Sequence, residues 1–298
     1  MADRDTFTTG KTMIQPPAIP GSELTDQDRV ALETAKRLLN QPSFAMQLAN
    51  TLGSPLERGL NALPKGLKSA LHKISNKALR GCLSAAVGTC FNQPGHQASP
   101  VVHRVAAGLS GCIGGAFGLP ALIVELPFST SLMLRSIADI ARSEGHSLGE
   151  ADVQMECLAV FAYGGPSKRD DAAESAYWSA RAALALTLRE ATAYLVGKQG
   201  LEAAAPVIIR LLGAISSRFG VVLSEQLLAK AVPILGMVAG ATINVVFITH
   251  FQNVARAHFI LRRLEIQYGA ERVRAWFSDL PQNRGGARDV QHSPSGGS

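Results

Sequence analysis

Apolar side chains recur at helical spacing along most of the chain. Within residues 131–142, Leu132, Leu134, Ile137 and Ile140 fall on one side of a helix, and apolar positions three or four residues apart mark an amphipathic helix. The strict alternation of a half-buried strand is absent over any useful length. The sequence therefore predicts an all-α fold: a single multi-helix domain of about eight to ten helices, with glycine-rich apolar helices in the core.

Capping residues, glycines and prolines set the limits of these helices. The Thr25 hydroxyl can cap the amide of Asp28, and Pro42 stops the helix that begins there. Polar segments at 1–21 and 281–298 are predicted to be disordered tails on a helical domain at 22–280. Helices are predicted at 25–41, 43–52, 60–80, 131–142 (ended by Glu144 and Gly145), 150–162, 170–196, 201–219 (ended by Gly220), 224–268 (kinked or restarted at Pro233) and 271–277.

Two stretches, 105–142 and 231–255, are unusually apolar. Residues 105–124 carry no charge, and the second stretch has no Asp, Glu, Lys or Arg. Pro120 and Pro127 interrupt the first, which is predicted to be a helical hairpin or a kinked pair. Each stretch forms either the core of a helical globule or a surface that meets a lipid bilayer. Small residues at helical spacing favour close helix packing, and the residues predicted to provide it are Gly111, Gly114, Gly115, Gly118, Gly236, Gly240 and Asn244.

A basic amphipathic helix is predicted at 60–80, a segment without acidic residues. The whole chain has a net charge of +6 and a pI near 9.3, so an anionic partner is expected. Aromatic residues are only 6% and do not interleave with a basic stripe, so nucleic acid is not expected. The alternative is a solvated charged face over a core stripe. The residues predicted to contact an anionic membrane are Lys65, Lys68, Lys73, Lys77 and Arg80.

Cysteine usage and the polar N-terminal segment favour the cytoplasm. The four cysteines form no C-x-x-C pair and lie in apolar helical surroundings, which is typical of free buried thiols. Asp170, Asp171 and Glu174 are predicted to open a helix rather than to bind a metal ion, because no Glu-x-x-His motif accompanies them. No metal and no cofactor are expected.

One carboxylate, Glu125, lies in the first apolar stretch. A carboxyl group in an apolar pocket has its pKa raised by desolvation, which suits a general acid or base. With Arg135 and Asp139 it forms a weak catalytic candidate, although the chain has no G-x-S-x-G or H-E-x-x-H motif. The favoured alternative is an ion-paired or capping Glu125. The lone His258 is interpreted as a satisfied core residue.

Several segments resemble the EcsC protein family, over roughly residues 45–275. The resemblance implies little about activity: the family takes its name from a protein encoded beside a bacterial ABC transporter, some members carry loose hydrolase or peptidase labels, and no catalytic residue is carried over. The segments are GCIGGAFG (111–118), ELPFSTSLMLRSIADIAR (125–142), ECLAVFAYGG (156–165), VPILGMVAGATINVVFITHF (232–251) and ARAHFILRRLEIQYGAERV (255–273).

The sequence favours a cytoplasmic, non-catalytic helical protein that associates peripherally with the inner face of the cell membrane. Its expected partner is an anionic membrane surface or a membrane complex of the ABC transporter kind. Two alternatives remain: a hydrolase with a buried acid at Glu125, and a soluble scaffold that binds a partner helix.

Overall fold

The structure, a computed structural model, contains eight helices and no strand within the residues it describes, and so confirms the predicted all-α fold. The described residues are 23–52, 119–165, 173–196, 200–230 and 236–281. The helices are α1 (Asp26–Leu39), α2 (Phe44–Leu52), α3 (Leu119–Ser143), α4 (Ala151–Tyr163), α5 (Ala173–Val196), α6 (Gly200–Lys230), α7 (Gly236–Tyr268) and α8 (Ala270–Asp279).

Helix α7 is the axis of the fold. It packs against α1, α2, α3, α4, α6 and α8. The described part of the second apolar stretch, 241–255, lies in this helix, and Ile243, Phe247 and Phe251 are buried. The ring of Phe251 lies 5.6 Å from that of Phe219 on α6. This half of α7 therefore supplies core side chains, while Val245 on it is exposed.

Helix α4 is enclosed by its neighbours on nearly every side. It packs against α3, α5, α6 and α7, and every residue from Cys157 to Tyr163 is buried. This half of the helix is hydrophobic on every face because neighbouring helices cover all of its faces. Cys157 is a free buried thiol, as the sequence predicted.

Two predicted helix ends are confirmed by their backbone geometry. The amide of Asp28 donates to the Thr25 hydroxyl at 3.1 Å, which caps α1. After α3, Gly145 takes φ +89°, a left-handed conformation that side chains with a Cβ rarely adopt. Both signals acted locally, which explains why the sequence alone could locate them.

The interruptions predicted at Pro127 and Gly220 are wrong. Helix α3 runs from Leu119 through Pro127 to Ser143, and α6 continues through Gly220 to Lys230. The break predicted at Pro120 stays a prediction, because α3 begins at Leu119 and the residues before it lie outside the described chain. In α6, Phe219 and Val222 on either side of Gly220 are both buried. Packing on both sides outweighs the roughly 1 kcal/mol that a helical glycine costs.

The first and last described helices are joined by buried charges. Lys36 on α1 donates from Nζ to the carbonyl oxygens of Phe277 at 2.7 Å and Leu280 at 2.6 Å, at the C-terminal end of α8. Asp28 accepts from Arg263 at 2.8 Å and from the Tyr268 hydroxyl at 2.7 Å. Both contacts hold α1 against the C-terminal part of the fold.

Candidate functional site

A layer of polar side chains lies between α4, α5 and α7. On each helix its members are spaced three, four or seven residues apart, so they share one face. Between Glu156 and Tyr163 the α4 residues are apolar and buried, so the layer lies against the core. We call this set the polar layer: Glu156 and Tyr163 on α4, Tyr177 and Arg181 on α5, and His258, Arg262 and Glu265 on α7.

Glu156 is the centre of the polar layer. The Tyr163 hydroxyl donates to Glu156 Oε2 at 2.8 Å. His258 Nε2 lies 3.2 Å from the same oxygen, but off the line of a hydrogen bond, so this contact is electrostatic. His258 Nδ1 lies 3.0 Å from the Tyr177 hydroxyl. A chain of polar contacts thus runs from α5 through α7 to α4.

Burial would raise the pKa of Glu156, but His258, Arg262 and the Tyr163 hydroxyl lower it from its usual 4.5 to about 2. Burial lowers the pKa of His258, and Glu156 opposes this only in part. A charged His258 would best explain the low pKa of Glu156, but the lowered pKa of His258 favours a neutral imidazole. A neutral imidazole removes the conflict: Nδ1 accepts from Tyr177, and the proton on Nε2 faces an ionised Glu156.

Two arginines complete the polar layer. Arg181 donates to both oxygens of Glu265, through Nη1 at 2.7 Å and through Nη2. Arg262 donates to Asp152 and lies 3.6 Å from Glu156 Oε1. Buried charges are costly unless partners match them, and each carboxylate named here has an arginine beside it. Because Tyr163, Tyr177 and His258 are buried, the layer stabilises the packing of three helices and does not present a reactive group to solvent.

A cavity of about 210 Å³ adjoins the polar layer. Its walls come from the α1–α2 connection, the C-terminal end of α4, and α5, α6 and α7. Tyr163 and Tyr177 line it, but their hydroxyls are bound to Glu156 and His258. The other polar side chains that line the cavity are Gln41, Ser43, Glu225, His250 and Asn253.

His250 is fixed in one tautomer at the cavity wall. Its Nε2 donates to the Gly164 carbonyl at 2.9 Å, which leaves Nδ1 as an acceptor, 3.5 Å from Gln47 Nε2. Burial lowers the pKa of His250, so the ring is neutral near pH 7. A Cβ on Gly164 would lie 2.6 Å from the Phe251 ring, so a larger residue there would displace this wall.

Glu225 differs from the other acids of the interior. It lines the cavity from α6 and, in the described part of the chain, makes no hydrogen bond or ion pair. Burial alone raises its pKa. No lysine or arginine lines the cavity beside it.

A second feature lies on the outside of α5 and α6. Among the described residues, eight large hydrophobic side chains are exposed, and five of these belong to the two helices. The Arg210–Glu190 ion pair, 3.3 Å long, joins the helices at the surface, so their exposed sides adjoin. We call these side chains the α5–α6 apolar surface: Leu186 (66% exposed), Tyr194, Val196 (68%), Ile209 (59%) and Val221.

One described helix has an 18-residue window, Pro206–Leu223 in α6, that is long and apolar enough to cross a bilayer, with a mean hydropathy of 1.6. Half of the window is buried inside the protein. A core helix of a soluble protein has the same composition. The window therefore identifies α6 as apolar without showing that it crosses a membrane.

Of the three weak catalytic candidates, Arg135 and Asp139 lie outside both the cavity and the polar layer. Glu125 belongs to α3, but its side chain lies outside the described residues. Arg135 is exposed, and Asp139 is buried beside Arg142, with 3.0 Å between the charged atoms. Within the described residues, no group of three or more His, Cys, Asp and Glu side chains could hold a metal ion.

Most predicted membrane-contact and packing residues lie outside the described chain. Asn244 is buried, and its Oδ1 accepts from Gln226 Nε2 on α6 at 2.8 Å. Gly236 and Gly240 belong to α7, but their surroundings are not described. The residues outside the described ranges are Lys65, Lys68, Lys73, Lys77, Arg80, Gly111, Gly114, Gly115 and Gly118.

Sequence reasoning missed Glu156 and Glu225. Glu156 is a lone acid in the apolar segment ECLAVFAY, the same signal that drew attention to Glu125. His258 and Arg262 lie one turn apart on α7 and were available as partners. Glu225 is the only acid between Glu202 and Glu265, which is a signal of the same kind, but only the assembled fold creates its cavity.

The helices, the polar layer and the buried α7 define an all-α protein built around one long helix. Residues 27–264 match the EcsC protein family, and the chain belongs to that family. The match confirms the resemblance seen in the sequence. No curated protein and no solved structure matches the chain.

Proposed function

We propose that the protein associates peripherally with the cytoplasmic, anionic face of a membrane through the α5–α6 apolar surface, without catalysing a reaction. The observation that carries this proposal is the concentration of exposed Leu, Ile, Val and Tyr side chains on two adjoining helices. Large apolar side chains gathered on the exposed sides of two adjoining helices favour contact with a membrane or a partner.

Charge favours lipid over a neutral apolar partner. The chain carries a net charge of +6, and Arg189 and Arg210 are exposed beside the apolar side chains. Each Lys or Arg near an anionic bilayer adds about 1 kcal/mol of attraction. The basic segment 60–80 adds further positive charge in the sequence.

The proposed mode is a helix pair that lies in the membrane interface. α6 packs along α5 and also contacts α4 and α7, and half of its most apolar window is buried in these contacts. A helix held in this way has only one side free for lipid, so it lies on the bilayer rather than across it. Apolar side chains then enter the interface while the arginines meet the headgroups.

Flotation of the full-length protein with vesicles tests the proposal. The vesicles contain phosphatidylglycerol and phosphatidylcholine, or phosphatidylcholine alone. Wild-type protein should float with the anionic vesicles. Burial of Leu186 and Ile209 contributes about 1 kcal/mol each, so the double variant Leu186→Asn/Ile209→Asn should bind more weakly by roughly tenfold or more.

The matched control is Val30→Asn on α1, since Val30 is 60% exposed, close to the exposure of Ile209. This variant should float like the wild type. Unchanged flotation of the double variant, or an equal loss in the control, contradicts the proposed surface. Binding to native membranes but not to protein-free anionic vesicles also overturns it, and indicates a membrane protein as the partner.

A further inference from the structure

The cavity next to the polar layer has the size of a site for a small molecule. Its volume of about 210 Å³ is below the roughly 300–1,000 Å³ of drug-sized ligand pockets, so it fits only a compact ligand. Pro42 and Ala45, which line it, are exposed. The cavity therefore approaches solvent at the α1–α2 connection.

The side chains that line the cavity include a negative charge but no permanent positive charge. Glu225 is the only acidic side chain among the residues that line it, and no lysine or arginine lies among them. His250 is neutral and already bonded to Gly164. The cavity thus has one carboxyl group without a partner in the described chain and no positive charge that could hold an anion.

The walls suit a cation with an apolar body. Phe44, Tyr163 and Tyr177 supply aromatic surface, and Leu39 and Val254 supply aliphatic surface. Aromatic rings attract ammonium groups, and the attraction is strongest where water is excluded. The two tyrosine hydroxyls are committed to the polar layer, so the tyrosines offer the ligand ring surface rather than a free donor.

We infer that this cavity binds a compact organic cation, an ammonium group on a small apolar body, with Glu225 as its counter-ion. A carboxylate inside a protein is costly without a partner, and the ammonium group supplies one. The site is separate from the α5–α6 apolar surface, and the inference does not depend on membrane binding.

Three probes of nearly the same shape test the charge preference: benzylammonium, neutral benzyl alcohol and anionic benzoate. Binding to the full-length protein is measured by titration calorimetry and by saturation-transfer NMR at pH 7.5. Benzylammonium should bind at least about tenfold more tightly than benzyl alcohol, since a charged hydrogen bond in a shielded site contributes about 1.5–3 kcal/mol. Benzoate should not bind.

Glu225→Gln keeps the shape of the side chain and removes its charge. This variant should bind benzylammonium no better than benzyl alcohol. Glu33→Gln, which changes an exposed acid on α1, is the control and should leave both affinities unchanged. Equal binding of the two probes to the wild type, an unchanged Glu225→Gln variant, or no binding of any ammonium probe overturns the inference.

The pH dependence of the wild type provides a second test that needs no variant. The titratable groups that face Glu225 across the cavity are Tyr163, Tyr177 and His250, from α4, α5 and α7. Protonation of Glu225, whose pKa burial raises, removes the counter-ion, and protonation of His250 would add a positive charge, so both changes disfavour a cation. Benzylammonium affinity should therefore fall from pH 7.5 to pH 5, while benzyl alcohol affinity should not. Parallel behaviour of the two probes contradicts the assignment of Glu225.

Discussion

Glu156 and Glu225 are both acids on interior helices, but their surroundings are opposite. Glu156 has a tyrosine hydroxyl, a histidine and an arginine around it, and its pKa is lowered to about 2. Glu225 has no such partner in the described chain, and burial raises its pKa. The first acid stabilises the fold at neutral pH, whereas the second destabilises it.

The same contrast separates the inside of the protein from the outside of α5 and α6. In the polar layer each carboxylate lies beside an arginine, so we interpret the role of the layer as structural. On the α5–α6 apolar surface, large hydrophobic side chains meet only solvent. Interior groups whose hydrogen bonds and charges are already matched have none left for a ligand. Binding is therefore expected where a carboxyl or an apolar patch lacks its complement.

Removal of the paired carboxylate should have the largest effect. Glu156→Gln leaves Arg262 without one of its carboxylates and changes the contact to His258. Breaking a buried ion pair from one side costs about 3 kcal/mol. Urea unfolding followed by circular dichroism at pH 7 should show that loss.

Glu190→Gln is its control, because Glu190 forms only an exposed ion pair with Arg210, and this variant should lose less than about 1 kcal/mol. The wild-type advantage over Glu156→Gln should persist at pH 5 and disappear only between about pH 4.5 and pH 2, as the folded carboxylate takes up its proton. Equal stability of the two variants would show that Glu156 is not held by its neighbours.

The buried histidines should make the protein less stable in mild acid. Burial lowers the pKa of His146, His250 and His258, so they stay neutral in the folded state, while the unfolded chain takes up protons below about pH 6.5. The free energy of unfolding should fall from pH 7.5 to pH 5.5 by about 1 kcal/mol for each histidine that stays neutral.

The raised pKa values of Glu144 and Glu225 act in the opposite direction, so a histidine variant is needed to isolate the effect. His146→Gln keeps a donor for the Phe259 carbonyl, to which His146 Nε2 donates at 3.0 Å. The His146→Gln variant should therefore lose about 1 kcal/mol less free energy of unfolding than the wild type between pH 7.5 and pH 5.5. A pH dependence identical to that of the wild type would indicate that His146 is charged in the folded state.

The smallest expected effect has the opposite sign. Glu225→Gln should raise the free energy of unfolding at pH 7 by about 0.5–1 kcal/mol, because it removes an ionised group that folding desolvates. At pH 4 both folded and unfolded Glu225 are largely protonated, so the gain should vanish. A loss of stability at pH 7 would mean that Glu225 already has a stabilising partner, and the contrast with Glu156 would fail.

The fold was accessible from sequence where local chemistry decides it. The Thr25 cap and the end of α3 at Gly145 both act within a few residues. Gly220 misled because a helical glycine costs only about 1 kcal/mol, which the packing of α6 outweighs. Pro127 misled although a proline inside a helix costs about 3 kcal/mol, because the rest of α3 holds the helix together across it.

The sites were much less accessible. Glu156 could have been singled out as the acid that opens the apolar segment ECLAVFAY, but two of its partners, His258 and Arg262, lie on α7, far away in the chain. The second apolar stretch was predicted to form either core or a lipid contact; most of the large apolar side chains in its described part are buried, and five of the eight exposed large hydrophobic side chains lie on α5 and α6. Hydropathy reports how apolar a helix is, but not which neighbours cover it.

Depth in the bilayer is the most direct test of the proposed membrane contact. Ile209→Trp places a fluorescent probe on the surface, and Val30→Trp is the control. Quenching of tryptophan fluorescence by lipids brominated in their acyl chains is measured for each variant. The contribution of Trp178 and Trp276 is measured on the unsubstituted protein and subtracted. In anionic vesicles the Ile209→Trp variant should be quenched and the Val30→Trp variant should not. Quenching at Val30 without quenching at Ile209 would contradict the account.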